Sequence, residues 1–131
     1  MGAHMYLGQL YLRQGLHPRA IEELTQTVAL APGVTKPSAM LGHAYAVSGQ
    51  AAKARHVLEQ LLKDTRHVSP YDVALIHVGL GNTAEAFTWL ERAYESRTYD
   101  LVTLNVDRRL DVLRSDQRFI NLVTRVGLPR R

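Results

Sequence analysis

The chain has 131 residues, of which 46% are apolar and 21% are charged, and it carries a net charge of +4. These values are typical of a globular domain, and the absence of cysteine excludes disulfides, thiolate metal ligands and cysteine nucleophiles. No apolar run reaches the roughly 18 residues of a membrane helix, and the N-terminus lacks the pattern of a secretory signal. We expect no membrane contact and a cytoplasmic location, with the periplasm as the alternative.

The first five residues, Met1-Gly2-Ala3-His4-Met5, resemble a cloning scar that ends in His-Met. We therefore predict that residues 1–5 are not native and that residues 6–131 form one domain taken from a longer chain. Other domains of that parent chain then become candidate partners of this one.

Six identical residue pairs lie 34 positions apart in the first half of the chain. A fixed period of this length indicates stacked repeats, because neighbouring units together bury apolar faces that one unit cannot bury alone. The pairs are Leu7 and Leu41, Gly8 and Gly42, Tyr11 and Tyr45, Gly15 and Gly49, Ala20 and Ala54, and Leu24 and Leu58.

The first repeat spans about residues 4–34, and the second, about 35–66, has the same plan. Apolar residues at spacings of three and four predict a first helix, which ends at Gly15 because glycine adopts the left-handed turn conformation at little cost. Pro18 begins a second helix. Gly8 is small for a packing reason, since a larger side chain would hold the two helices apart.

The third repeat, about residues 67–100, is less regular than the first two. Gly81, Ala86 and Leu90 match residues of the second repeat at a spacing of 32 rather than 34, and His77 stands where the first two repeats have tyrosine. We expect the same helix–turn–helix plan here.

Residues 101–131 form the predicted capping segment. The apolar run 101–106 predicts an irregular packed link, residues 107–114 a short helix or turn, and the Ser115-Asp116 pair the cap of a final helix that ends at Gly127. Terminal units of repeat proteins need such a capping element.

The order Leu-Gly-x-x-Tyr, Gly, Ala and Leu in the repeated pairs resembles the tetratricopeptide repeat, a helix–turn–helix unit of 34 residues. Motifs further along the chain resemble the closing segment of bacterial multidomain regulators that end in such repeats. These motifs are Ser69-Pro70-Tyr71, Gly81, Ala86-Phe87, Trp89-Leu90, Asp107-Arg108-Arg109-Leu110 and Leu113-Arg114-Ser115-Asp116. The resemblance implies an all-α, right-handed helical solenoid of three repeats with a C-terminal capping helix.

In the family that the chain resembles, the first helices of successive repeats line a concave groove that binds a peptide or a helix of a partner protein. The resemblance therefore implies a scaffold or adaptor without a cofactor. Members that grip a carboxylate have asparagines where this chain has Gln9 and Met40, so we do not predict that mode of binding. The residues implied to line the groove are Gln9, Arg13, Lys36, Met40, His43, Val47, Tyr71, Asp72 and Leu75.

Catalytic motifs are missing from the sequence, and none of the six histidines forms the pair of a helical zinc site. We therefore predict neither catalytic nor metal-binding residues. Two alternatives to peptide binding stay open. The seven arginines within residues 107–131 are candidates for nucleic-acid or acidic-partner binding, although three aspartates are interleaved with them. The first helix, about residues 6–14, is a candidate homodimer contact.

Overall fold

A computed structural model describes residues 2–30, 34–63, 68–96, 101, 104 and 107–127, with the side chains of residues 2–6 and 13 left aside. Within these ranges the chain has seven α-helices and one 3-10 helix, and it has no strand there. The all-α fold predicted from the repeat pattern is confirmed.

The helices fall into two compact units of the chain. In unit 1, Met1–Val68, the helices are α1 (Gly2–Arg13), α2 (His17–Leu30), α3 (Thr35–Val47) and α4 (Ala51–Leu62). In unit 2, Ser69–Arg131, they are α5 (Pro70–Leu80), α6 (Thr83–Glu95), the 3-10 helix (Arg108–Leu113) and α7 (Gln117–Val126). Unit 1 thus contains the first two predicted repeats, and unit 2 contains the third repeat and the capping segment.

The turn between the two helices of a repeat has the same geometry three times. A glycine in the left-handed conformation follows each first helix, with φ of 74° at Gly15, 84° at Gly49 and 79° at Gly81. The amide of the next residue donates to the carbonyl five positions earlier at 2.8–2.9 Å, which is the Schellman ending of a helix. This turn directs the second helix back along the first.

Small residues let the paired helices approach each other closely. A Cβ atom added at Gly8 of α1 would lie 2.8 Å from both Cγ and Cδ2 of Leu24 on α2. On the second helices, Ala20, Ala54 and Ala86 are fully buried. The contact of Gly8 with Leu24 supports the packing reason that the sequence predicted for this glycine.

The core of unit 1 lies between its paired helices. It consists of buried Leu24, Met40, Leu41 and Ala44, with half-buried Leu12, Ile21, Val28 and Tyr45 packed against them. Tyr45 is half-buried against this cluster, and Nζ of Lys53 lies over its ring.

The core of unit 2 is larger, because the capping segment adds to it. The buried members are Tyr71, Ala74, Leu75, Phe87, Leu90, Ala93, Leu101, Leu104, Leu110, Leu113, Phe119, Leu122 and Val123. Leu101 and Leu104 belong to the link that was expected to be irregular and packed, and the other residues of 101–106 lie outside the described ranges. Both leucines are buried, so the described part of the link is packed into the core.

Two aspartates begin the helices of the capping segment. The Asp107 carboxylate accepts from the Arg109 amide at 3.0 Å at the start of the 3-10 helix. The Asp116 carboxylate accepts from the Arg118 amide at 2.9 Å at the start of α7. α7 is followed by Gly127 with φ of 86°. The predicted short helix, the cap of the final helix and its end are confirmed.

Replacing Gly8 by valine tests the close approach of α1 and α2. We expect Gly8→Val to lower the free energy of unfolding by about 1–3 kcal/mol, because the new side chain overlaps Leu24. Chemical denaturation measures this loss. In a Leu24→Ala background the same change should cost less, since the alanine leaves room for valine. Equal costs in the two backgrounds would contradict the contact.

Candidate protein-interaction surface

The predicted groove residues of α3 form one stripe along the helix. Lys36, Met40, His43 and Val47 follow each other at spacings of four, three and four, which places them on the same helix face. Met40 and His43 are buried in the middle of the stripe. Lys36 is half-buried at one end, and Val47 is 38% exposed at the other. The two ends of the stripe are therefore more exposed than its middle.

Gln9 of α1 lies against this stripe. Its Nε2 donates to Sδ of Met40 at 3.8 Å, which joins the first helices of the two repeats in unit 1. The Gln9 side chain is half-buried. The structure therefore brings two of the predicted groove residues, Gln9 and Met40, into contact. The side chain of Arg13 lies outside the described residues. We call Gln9, Lys36, Met40, His43 and Val47 the first-helix stripe.

The three groove residues predicted in unit 2 are interior residues. Tyr71 is 1% exposed and Leu75 is 2% exposed, and both belong to the unit 2 core. Asp72 is buried as well. The sequence predicted that Tyr71, Asp72 and Leu75 line a groove, and the structure shows all three side chains buried. Their burial follows from the capping segment, which packs against the helix that carries them.

Asp107 holds Tyr71 in place from the capping segment. The Tyr71 hydroxyl donates to Oδ2 of Asp107 at 2.7 Å. Arg109 donates two hydrogen bonds to the same carboxylate, from Nε to Oδ1 at 2.9 Å and from Nη2 to Oδ2 at 2.8 Å. The Asp107 side chain is 7% exposed and that of Arg109 is 35% exposed. These bonds tie the 3-10 helix to the first turn of α5.

The charge of Asp107 is stabilised by these partners. Burial by itself raises the pKa of a carboxyl group, but the hydrogen bonds and positive charge of Arg109, with the Tyr71 hydroxyl, lower the pKa of Asp107 below its ordinary value. The pKa of Arg109 is in turn raised, since burial, which lowers it, is outweighed by Asp107. Because the folded-state pKa of Asp107 is depressed, the stability it contributes is present at neutral pH and is lost as the pH falls through that value.

Asp116 and Arg118 repeat the same arrangement at the surface. Arg118 donates from its amide and Nε to Oδ1 of Asp116, at 2.9 and 3.1 Å, and from Nη2 to Oδ2 at 2.9 Å. Every bond between Asp107 and Arg109 therefore has a counterpart here. The difference lies in burial and in Tyr71, which makes Asp116 a matched control for Asp107.

The two arginines of α7 have partners within unit 2. Arg118 lies over the Phe87 ring with its guanidinium carbon 4.4 Å from the ring centre. Arg125 lies 5.1 Å from the centre of the Tyr94 ring, and it donates from Nη1 to Oε2 of Glu91 at 2.9 Å. These contacts fasten α7 to α6.

Arg114 is held in the same way as the arginines of α7. It donates from Nε to Oδ1 of Asp111 at 2.7 Å, and its guanidinium carbon lies 5.8 Å from the centre of the Phe119 ring. Arg108 is exposed, and residues 130 and 131 lie outside the described ranges. The alternative of nucleic-acid binding therefore has to rely on fewer arginines than the sequence offers.

Within the part of the chain that the structure describes, no three His, Cys, Asp or Glu side chains lie close enough together to hold a metal ion. Among the helices of that same part, none is long and apolar enough to cross a membrane.

Sequence reasoning missed the cluster of Asp107, Arg109 and Tyr71. The aspartate was expected only within a short helix or turn, and its bond to a tyrosine 36 positions earlier leaves no periodic trace. The one local signal is the Asp-x-Arg spacing, which occurs at residues 107–109 and again at 116–118.

Replacing Asp107 by alanine measures what this cluster contributes. We expect Asp107→Ala to lower the free energy of unfolding by about 2–3 kcal/mol, because the change leaves the Tyr71 hydroxyl and the half-buried Arg109 without their acceptor. Asp116→Ala removes the same set of bonds to an arginine at an exposed position and should cost clearly less. Urea denaturation of the two variants gives the comparison, and equal losses would show that Tyr71 and burial add nothing.

The comparison with protein families agrees with the repeat geometry. A family model described as tetratricopeptide repeat matches residues 11–76, which is half of the chain. No curated protein and no solved structure matches the chain. The matched residues run from α1 to α5. They include the first two glycine turns, at Gly15 and Gly49, and the buried alanines Ala20 and Ala54. The chain belongs to the tetratricopeptide repeat family.

Proposed function

We propose that this chain is a non-catalytic adaptor that binds a segment of a partner protein, as an extended peptide or a helix, on the first-helix stripe of unit 1. Tetratricopeptide repeats generally act as protein–protein interaction modules. The observation that carries the proposal is the stripe itself, in which Lys36 and exposed Val47 lie at the ends of a buried middle, beside Gln9. A partner chain that lies along the stripe contacts both ends at once.

The distribution of charge within unit 1 indicates what such a partner carries. Neither α1 nor α3 contains an aspartate or glutamate, whereas α2 and α4 contain Glu22, Glu23 and Glu59. A segment that binds along the first helices therefore lies on helices without an acidic residue, with Lys36 near the start of α3. We expect a partner segment with an apolar residue against Val47 and a carboxylate or neutral polar group near Lys36.

The contacts within unit 2 favour this function over nucleic-acid binding. The capping segment buries Tyr71 and Leu75 and uses Arg118 and Arg125 to hold α7 on α6. The contacts of these arginines make phosphate binding by the capping segment less favourable, because each arginine would first have to leave an aromatic ring or a carboxylate. Contact between copies through α1 stays a prediction.

Charge reversal at Lys36 tests the proposed surface. Proteins captured from a cell lysate by the native chain are identified, and the dissociation constant of the strongest of them is measured for each variant. We expect Lys36→Glu and Val47→Glu each to weaken binding by about tenfold or more, which corresponds to about 1.4 kcal/mol. A glutamate at residue 36, in the first turn of α3, also suits the helix dipole, so the fold should be retained.

Arg55→Glu provides the matched control for this test. Arg55 is exposed on α4, away from the first helices, and its reversal changes the charge by the same two units. We expect it to leave the dissociation constant unchanged. If Arg55→Glu weakens binding while Lys36→Glu and Val47→Glu do not, the partner binds the second helices instead. If nucleic acid is captured and Arg108→Glu releases it, the function belongs to the capping segment.

A further inference from the structure

The first two repeats share a contact between a tyrosine and a cation. In the first repeat the guanidinium carbon of Arg19 lies 5.9 Å from the centre of the Tyr11 ring. In the second repeat Nζ of Lys53 lies 5.6 Å from the centre of the Tyr45 ring. Both members recur at the period of 34. Each contact joins the last turn of a first helix to the first turn of a second helix by cation–π attraction.

The third repeat changes both members of this pair. At its spacing of 32 from the second repeat, His77 takes the position of Tyr45 and Glu85 takes the position of Lys53. The backbone is unchanged, because the Asn82 amide donates to the His77 carbonyl at 2.9 Å as in the other two turns. The aromatic ring has become a titratable imidazole, and the cation has become an acid.

His77 is buried and has a polar neighbour at the turn. It is 7% exposed, and its Nδ1 lies 3.4 Å from Nδ2 of Asn82. An unprotonated Nδ1 accepts from that amide, whereas a doubly protonated ring has only donors and loses the contact. Burial lowers the pKa of His77 below its ordinary value, and the negative charge of Glu85 raises it by a smaller amount. Protonation therefore puts a charge into an interior that Glu85 compensates only in part.

The charged groups around His77 come from the two elements packed on α5. Among the described residues, Glu85 of α6 is the one whose charge acts on the imidazole. From the 3-10 helix, Asp107 and Arg109 neutralise each other near Asp72, at the opposite end of α5. The other charged residues of α6 are at least six positions beyond Glu85: Glu91, Arg92 and Glu95.

We propose that the buried His77, with its contact to Asn82, makes the link between α5 and α6 responsive to protons, where the first two repeats have a cation–aromatic contact, so that acid loosens the third repeat. This device goes beyond partner binding and does not depend on it. The direction follows from linkage. Since the folded-state pKa of His77 is depressed, the folded state binds fewer protons than the unfolded state, and stability is lost as the pH falls below about 6.5.

The first test follows the His77 imidazole by NMR in the native chain, with the resonance assigned from its absence in His77→Gln. We expect His77 to titrate below the ordinary histidine pKa, and Glu85→Gln to lower that pKa further. Glu95→Gln, which removes the same charge near the end of α6, should leave the titration unchanged. A His77 pKa at or above the ordinary value would overturn the proposal.

The second test restores the pair of the other repeats with the double change His77→Tyr and Glu85→Lys. Hydrogen exchange is measured at pH 7.5 and 5.5, with correction for the intrinsic rates. In the native chain we expect acid to increase the opening equilibrium constant of α5 and α6 by up to about tenfold per pH unit. In the double variant that increase should largely disappear, while α3 and α4 respond equally in both chains. The same acid response of α5 and α6 in both chains would contradict the proposed link.

Discussion

The close approach of paired helices is the constraint on which the rest of this structure depends. A left-handed glycine turns the chain, and a small residue on the facing helix lets Leu24 reach the backbone at Gly8. Because the second helix packs so near the first, the residues around the turn meet across it. That geometry brings Tyr11 to Arg19 and Tyr45 to Lys53. The contact between a tyrosine and a cation therefore recurs together with the helix packing in the first two repeats.

The sequence predicts the repeated elements well and the aperiodic ones poorly. The glycine turns and the buried alanines recur at a fixed spacing, so a period alone locates them, and the caps at Asp107 and Asp116 follow from local rules. The burial of Tyr71 could not be predicted in this way. Tyr71 aligns with a groove position of the resembled family, but a carboxylate 36 residues later and the leucines of the link surround it. Such partners depend on tertiary structure.

The two units differ in where their charged and exposed residues lie. In unit 1, half-buried Lys36 and exposed Val47 lie at the two ends of the first-helix stripe, on helices without acidic residues. In unit 2, Asp107 pairs with Arg109, and Arg118 and Arg125 lie over aromatic rings of the same unit. We accordingly propose that unit 1 binds the partner protein, and that the segment of unit 2 after α6 serves as a capping segment.

Site-specific cross-linking tests the central claim, that a partner lies along the first-helix stripe, most directly. A photoreactive amino acid is placed at residue 47, at the exposed end of α3, or at residue 52, where Ala52 is exposed on α4. The account predicts that the same partner protein is cross-linked at residue 47 and not at residue 52. Cross-linking of that partner at residue 52 alone would contradict it.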